Sequence, residues 1–425
     1  MCEIDLIKKL YDRNLISYIS NEKKLKKHIS KKNISVYCGF DPTADSLHIG
    51  HILPLLILKK FQKYGHIPVI LIGGATSLIG DPSFKNVKRK NNKKKDIKIW
   101  EKKIIFQIKK FLDSKNKKNK EIIVNNNSWF KNINLLNFLD TVGKYFSINS
   151  MINKDSVKKR IQRIDQGISF TEFSYSLFQA YDFLKLYLNY NVTLQIGGSD
   201  QWGNISSGIH LVQKTKKKEV FGMTLPLLIK SDGKKFGKSE NKNIWLDPKK
   251  TTPYHFYQFW VNVSDKDVFY FLKIFYILSK KEIKKIQKEG VLGLIRSKKI
   301  LAEKLTILIH GTNVLKKVKN IVKNLFYSRI ENLSESDFNQ IISSGNNTGI
   351  PVFVLKKNEN LQKCLVFINY SHSLKQSRNL IYSKSIQING KCIIDPNYIF
   401  NDYDKLFNKF TIIKKGKKTF SILKW

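Results

Sequence analysis

The chain has 425 residues, 42% hydrophobic and 12% aromatic, which is enough to bury two or three cores and excludes an unfolded chain. Its 77 Lys and Arg against 33 Asp and Glu leave a formal charge of +44, which suits a polyanionic partner such as nucleic acid. Lys, Asn and Ile are abundant together throughout, as in Lys31-Lys32-Asn33-Ile34, a pattern that biased base composition gives without selection for binding, so the charge is consistent with RNA without proving it. The first predicted element is an amphipathic helix within residues 4–28, from Leu6, Ile7, Leu10, Leu15 and Ile16 among charges. Ile34 to Tyr37 reads as a strand, and Ile52 to Phe61 as a buried helix.

Between those two lies the stretch Tyr37 to His51, YCGFDPTADSLHIGH, on a strand-to-helix turn. Such a turn gathers free backbone N–H groups and the positive end of a helix at one spot, a setting for phosphate. His48 and His51, three apart, share a helix face there, where imidazoles can donate to phosphate oxygens, and Gly50 removes a side chain where a nucleotide needs close approach. Spacing alone leaves open a pair of partly exposed polar histidines. A zinc site is disfavoured, because no third ligand stands at a suitable spacing.

Ile67 to Ile72 is a continuous apolar run of the kind buried in parallel sheets, followed by the turn Gly73 to Ser77 and by Asp81-Pro82, so strand, helix and strand form a βαβ unit. Residues 85–120 hold sixteen Lys or Arg against three acids, by direct count, with Ile104, Ile105, Ile108 and Phe111 at helical spacing. This is a solvated helix between lysine-rich loops, with contact to RNA as the lesser alternative. Glu121 to Val124 is a strand, and Leu135 to Phe146 and Val157 to Ile164 are helices. A long helix opens at Thr171-Glu172 and runs to Leu188, placing Tyr175, Gln179 and Asp182 on one face, as a lining for a small polar ligand or as a polar seam in the core. Val192 to Ile196 is a strand that closes on Gly197, Gly198, Ser199, Asp200, Gln201 and Trp202, where a carboxylate can hold a ribose.

Met223 to Ile229 is apolar, followed by the turn Ser231-Asp232-Gly233 and by Lys235-Phe236-Gly237-Lys238-Ser239, two lysines on a loop that can close on a triphosphate. Residues 265–326 are helical. The composition turns polar between Tyr327 and Leu355, most clearly at Ser343 to Asn347, which marks a boundary. The small basic remainder holds a helix from Leu374 to Ser383 with Lys375 and Arg378, and a hairpin from Ile386 to Lys391 with an Asn-Gly turn. Cys2, Cys38, Cys364 and Cys392 form no CxxC pair, no signal-peptide core begins the chain, and no apolar run approaches the ~20 residues of a membrane span. The expectation is a soluble protein of a reducing cytoplasm.

Taken together, these residues are similar to bacterial tyrosyl-tRNA synthetases, a family of class I aminoacyl-tRNA synthetases, over nearly the whole chain. His48-Ile49-Gly50-His51 matches the HIGH signature and Lys235 to Ser239 the KMSKS loop, with Phe236 and Gly237 in its middle. By the same resemblance Tyr37 and Asp182 hold the tyrosine phenol, and Tyr175, Gln179 and Asp81 face its ammonium group. Gln195 and Gln201 line the site nearby. Gly39, Asp41, Thr43, Gly198 and Asp200 match ATP-contacting positions, with His48, Gly50, His51, Lys235, Lys238 and Ser239, while Lys85 and Arg89 match a mobile basic loop near the phosphates.

The resemblance implies a chain that joins tyrosine to ATP, forming tyrosyl-adenylate, and passes the tyrosyl group to the terminal ribose of tyrosine tRNA. ATP arrives with Mg2+, no metal or tightly bound cofactor is resident, and the family expectation is a homodimer. The implied fold is α/β: a Rossmann-like parallel-sheet catalytic domain over residues 1–225, a KMSKS-type loop and α-helical tRNA-binding domain over 226–328, a linker over 329–355, and a small C-terminal α+β RNA-binding domain, ribosomal-protein-like, over 356–425. A non-catalytic RNA-binding relative would lose the histidines or the lysine loop, a nucleotidyltransferase has no use for the tyrosine pocket, and a tryptophan-specific relative lacks the paired phenol contacts.

Overall fold

The computed structural model describes residues 6–81, 93–115, 117–161, 167–229, 236, 238–239, 242–327, 329–342, 350–355, 359–416 and 419–425. It divides into two compact units, Met1–Gly237 and Lys238–Trp425. In the first, the leading segment is two helices rather than one. α1 (Leu6–Tyr11) and α2 (Glu22–Lys31) are separated by the short strand β1 (Tyr18–Ile19). Asn14 has φ 58°, a left-handed residue of the kind that ends helices. Ser17 and Ser20 then donate their backbone N–H groups to Thr224 and Gly222, which carries β1 onto a sheet edge. Leu15, assigned from the sequence to a helical stripe, is buried after the turn instead.

The sheet follows from runs of β-branched and other apolar residues too short for helices. β2 (Ser35–Phe40), α3 (Ile52–Lys63), β3 (Ile67–Ile72), α4 (Thr76–Ile79), α5 (Lys94–Lys109) and β4 (Ile122–Asn125) build one half. After α6 (Asn127–Phe130), α7 (Leu135–Thr141), α8 (Ile148–Ile152) and α9 (Asp155–Ile161), the long α10 (Phe170–Tyr190) leads to β5 (Val192–Gly198), α11 (Trp202–Lys216) and β6 (Phe221–Leu225). α10 opens on a capping box, Ser169 with Glu172, and closes on Asn191 at φ 52°. The six strands lie in the order β1-β6-β5-β2-β3-β4, parallel except for β1 against β6.

That order positions the site. The chain steps outward from β2 through β3 to β4 and returns on the other side of β2 as β5. The crevice outside the carboxyl ends of β2 and β5 is where α/β sheets of this kind bind ligands. Val69, Leu71, Phe183, Leu186 and Leu211 are among the residues of the core beneath it.

The second unit begins with β7 (Lys238–Ser239) paired to β8 (Lys242–Asn243), then the helices α12 (Pro253–Val261), α13 (Asp265–Ile274), α14 (Lys280–Gln287), α15 (Gly290–His310), α16 (Thr312–Phe326) and α17 (Glu335–Ile342). β9 (Val352–Val354), α18 (Leu361–Phe367), α19 (Leu374–Tyr382), β10 (Ile386–Ile388), β11 (Lys391–Cys392), β12 (Phe410–Lys415) and β13 (Thr419–Lys424) complete it. The five strands run β11-β10-β12-β13-β9. The hairpin turn has φ 48° at Asn389 and 87° at Gly390, the two left-handed residues that an Asn-Gly turn supplies.

The interval 329–355, read from the sequence as a linker, departs from that reading: its described residues include α17 and β9. Phe338 and Ile341 of α17 share a core with Tyr254, Ile321 and Leu325 on one side and Phe410, Ile412 and Phe420 on the other. The polar surface of this segment gives it a loop-like composition, while two or three apolar side chains on one helix face suffice to anchor it. Ser343 to Asn347, the clearest break in the sequence, lie outside the described residues.

Candidate active site

The histidine element begins where β2 ends. His48 is extended (φ −118°, ψ 173°) and caps a 3-10 turn, Ile49–His51, that leads directly into α3. The Nδ1 of His48 accepts the N–H of Gly50 at 3.1 Å, and the Nδ1 of His51 accepts the N–H of His48 at 3.1 Å. A ring nitrogen that accepts cannot carry the proton, so each neutral ring bears it on Nε2, the donor a phosphate oxygen needs. The two rings lie 4.0 Å apart. Burial, with the neighbouring His48 adding to it, holds His51 well below the usual histidine range, so it stays neutral.

Gly50 has a local reason as well. A Cβ there would stand 2.8 Å from the Cε1 of His48, so the ring could not fold back onto the turn. Gly39, on β2, has nothing within 4 Å of a built Cβ, which leaves open space above the strand. At Gly198 a Cβ would fall on the carboxylate of Asp200.

Two residues on one face of α10, Tyr175 and Asp182, reach the segments just after β2 and β4. Asp182, 2% exposed, accepts from Asn126 Nδ2 at 3.1 Å and from Trp129 Nε1 at 2.9 Å, one donor to each oxygen. Burial raises its carboxyl well above the usual range, and the two donors oppose that by favouring the carboxylate. Asn126 also donates to Thr76 Oγ1 at 3.1 Å and accepts from the N–H of Ala75 at 2.8 Å. Thr76 donates to Asp41 Oδ1 at 2.8 Å, and the hydroxyl of Tyr175 donates to Asp41 Oδ2 at 2.7 Å. A Cβ on Gly73 would fall on Asp41 and Thr76, so this chain of hydrogen bonds requires a bare backbone there.

Two of the site's buried polar atoms stand without a partner among the described residues: the Tyr37 hydroxyl and Gln195 Oε1. Tyr37 is 1% exposed, packed edge-on against Phe183 at 5.2 Å, and its phenol is pushed well above its usual range, by burial first and then by the charge of Asp182. Buried groups of this kind are normally paired, so they mark where a ligand's polar atoms belong. Burial likewise pushes the Cys38 thiol next door up to about 12, leaving it an inert packing group.

The structure thus brings Tyr37, Asp41, Tyr175 and Asp182 to one network region, and it joins Asp81 to Gln201, whose Nε2 donates to Asp81 Oδ2 at 2.8 Å. Gln179 is half-buried, Thr43 is exposed, and Asp200 lies in the middle of the turn Ser199–Gln201 after β5. Lys85, Arg89 and Lys235 lie outside the described residues, and of Lys238 and Ser239 the backbone alone is described, in β7. Sequence reasoning missed Asn126, Trp129 and Thr76. Asn126 sits in a run of three asparagines, in a chain rich in asparagine throughout, which hid it; its position just after β4 is the available signal.

Comparisons with known proteins agree with this geometry. Residues 29–327 match the family of tRNA synthetases class I (W and Y), and residues 342–423 match the tyrosine–tRNA ligase SYY-like C-terminal domain. A tyrosine–tRNA ligase of Buchnera aphidicola is 52% identical over 427 aligned positions, covering 100% of both chains, and one of Escherichia coli is 48% identical with the same coverage. The crystal structure of a C-terminally truncated mitochondrial tyrosyl-tRNA synthetase of Aspergillus nidulans superposes with a TM-score of 0.67 at 31% identity, covering 76% of this chain and 94% of that one. With the family match over residues 29–327 and relatives of 48–52% identity over the whole chain, the chain belongs to the tyrosine–tRNA ligases, a family of class I aminoacyl-tRNA synthetases.

Proposed function

We propose that the chain activates L-tyrosine with ATP and transfers the tyrosyl group to the 3'-terminal ribose of tyrosine tRNA. The observation that carries the substrate assignment is the fully buried hydroxyl of Tyr37, near Asp182 and without a partner among the described residues. A phenol entering there donates to Asp182 and accepts from Tyr37, and phenylalanine leaves both unpaired at a desolvation cost. The tyrosine carboxylate attacks the α-phosphorus of ATP in line and pyrophosphate leaves; no protein nucleophile takes part. His48 and His51 donate from Nε2 to phosphate oxygens, and Lys235 and Lys238, by their match to the second class signature, meet the charge that grows as pyrophosphate departs. Tyr175, Gln179 and Asp81 take the ammonium group, with Gln195 and Gln201 nearby. Gly39, Asp41, Thr43, Gly198, Asp200 and Ser239 serve the nucleotide, and Lys85 and Arg89 supply positive charge to its phosphates. Magnesium enters as the ATP complex.

The C-terminal stretch with Lys375, Arg378 and Lys391 contacts tRNA phosphates. The enzyme works as a homodimer: Leu136 at 73% and Phe170 at 81% exposure, with Leu135 and Ile148, are apolar side chains that a second copy would cover. It acts in the cytoplasm, in keeping with free cysteines at 38, 364 and 392; among the described residues no helix is long and apolar enough to cross a membrane. Exchange of labelled pyrophosphate into ATP, run with each of the twenty amino acids, tests the assignment. Tyrosine alone should support it, and exchange driven equally by tryptophan or phenylalanine would overturn it.

A further inference from the structure

The lysine-rich segment that holds α5 reads from the sequence as a solvated helix, yet its inner face touches the histidine element. Ile97, Ile104 and Ile108 fix α5 to the core. Beside Ile108, the Oε1 of Gln107 accepts the backbone N–H of Leu47 at 2.8 Å, and its Nε2 donates to Ser46 Oγ at 3.2 Å. Ser46 donates in turn to the carbonyl of Leu47 at 2.8 Å. One turn earlier on α5, Lys103 pairs with Asp45 at 2.9 Å. Leu47 and Ser46 are 1% and 3% exposed, so the Leu47 amide depends on Gln107 for its partner, and a buried amide left alone is costly. Further back on α5, Glu101 lies against Gly74, where a Cβ would collide with its carboxylate. One helix therefore borders the loops that follow both β2 and β3.

We propose that Gln107 is a positioning residue for adenylate formation: it locks the backbone of Ser46 and Leu47, and through it the extended residue His48, to a helix anchored in the core. The physical reason is that His48 acts through one ring nitrogen on a short 3-10 turn, and a loop free to shift by about 1 Å loses much of the benefit of a preorganised donor. Gln107 directs both ends of its amide to Ser46 and Leu47, so its loss should slow the step that uses His48 while leaving the tyrosine pocket, built on α10 and Asn126, as it was.

The inference rests on the reading of residues 41–51 as the nucleotide element. The test uses the full-length enzyme and two substitutions: Gln107→Met, which keeps the shape and removes both hydrogen bonds, and Gln107→Glu, which keeps the acceptor for Leu47. Three quantities are read for each: the pre-steady-state rate of tyrosyl-adenylate formation, the dissociation constant of tyrosine, and hydrogen exchange over residues 41–51. Gln107→Met should slow adenylate formation at least tenfold with tyrosine affinity within twofold of the parent, and Gln107→Glu should recover most of the rate. Hydrogen exchange over residues 41–51 should quicken in Gln107→Met and return toward normal in Gln107→Glu, a readout that stands even if the Met variant is poorly active for other reasons. A parent-like rate or unchanged exchange in Gln107→Met overturns the proposal, as does a loss of tyrosine affinity equal to the loss of rate. A parent chain that fails to exchange pyrophosphate with tyrosine at all would instead overturn the underlying functional reading.

Discussion

At the scale of single residues, the proposed tyrosine pocket is defined by polar groups that hydrogen bonds hold in place. Asn126 serves three partners at once, Asp182, Thr76 and the backbone of Ala75. Asn126→Ala should therefore weaken tyrosine binding by about 1 to 3 kcal/mol, the cost of leaving buried groups unpaired. Equilibrium binding of tyrosine measures it; unchanged affinity would mean that Trp129 alone sets Asp182. Asp182→Ala should go further and erode the preference for tyrosine over phenylalanine, read as the ratio of kcat/KM values in competition. Gly50→Ala drives a methyl to within 2.8 Å of His48 and should lower the rate of adenylate formation with little change in tyrosine affinity.

At the scale of elements, two anchors decide whether helices stay where the site needs them. The buried pair Arg160 to Glu172, at 3.1 Å and with side chains 4% and 7% exposed, ties α9 to the first turn of α10. Glu172 also completes the capping box. Glu172→Gln should cost about 3 to 5 kcal/mol, since it takes the Glu172 carboxylate away from a buried guanidinium, and a denaturant melt of the full chain measures it. In the second unit Phe338, fully buried and stacked on Phe410 at 5.8 Å, holds α17 between the helices and the C-terminal sheet. Phe338→Ala should destabilise that unit by about 3 to 5 kcal/mol in denaturant melts, while tyrosine-dependent pyrophosphate exchange at low temperature persists. A true linker would tolerate the change.

At the scale of the whole molecule, each unit carries a histidine buried in its neutral form. His66 in the first and His255 in the second are both pushed down to about 4, chiefly by burial. The folded values lie below the unfolded value near 6.5, so protonation favours the unfolded chain. The stability these groups contribute is complete above about pH 6.5 and is lost as the pH falls toward 4, at up to about 1.4 kcal/mol per pH unit for each. Thermal melts from pH 7 to pH 5 should show the fall, and His255→Asn should flatten it for the second unit. For tRNA, Lys375→Ala with Arg378→Ala in the full chain is a cleaner test than truncation after residue 344, which would bare the core around Phe338. Every phosphate that goes unneutralised should reduce the log–log salt slope of tRNA affinity by roughly 0.7 to 0.9. An unrelated tRNA is the control for a chain of charge +44.

What the sequence determined by itself were the features written in local chemistry. Short apolar runs made β2, β3 and β5, periodic ones made α3 and α10, the Asn389-Gly390 pair made its hairpin, and two motifs with a tyrosine-pocket face on one helix pointed to the family. What only the tertiary structure decided were contacts between segments distant in the chain. Asn126 and Trp129 reach Asp182 across more than fifty residues, and Gln107 reaches Leu47 across sixty. Asn14 breaks the leading helix because β6, some two hundred residues on, offers β1 an edge to join. α17 is a wedge rather than a linker because Phe410 and Ile412 arrive from the far end of the chain. Periodicity records which face of an element is buried; it carries no record of what that face is buried against, and hydrogen bonds between side chains far apart in sequence leave no local pattern.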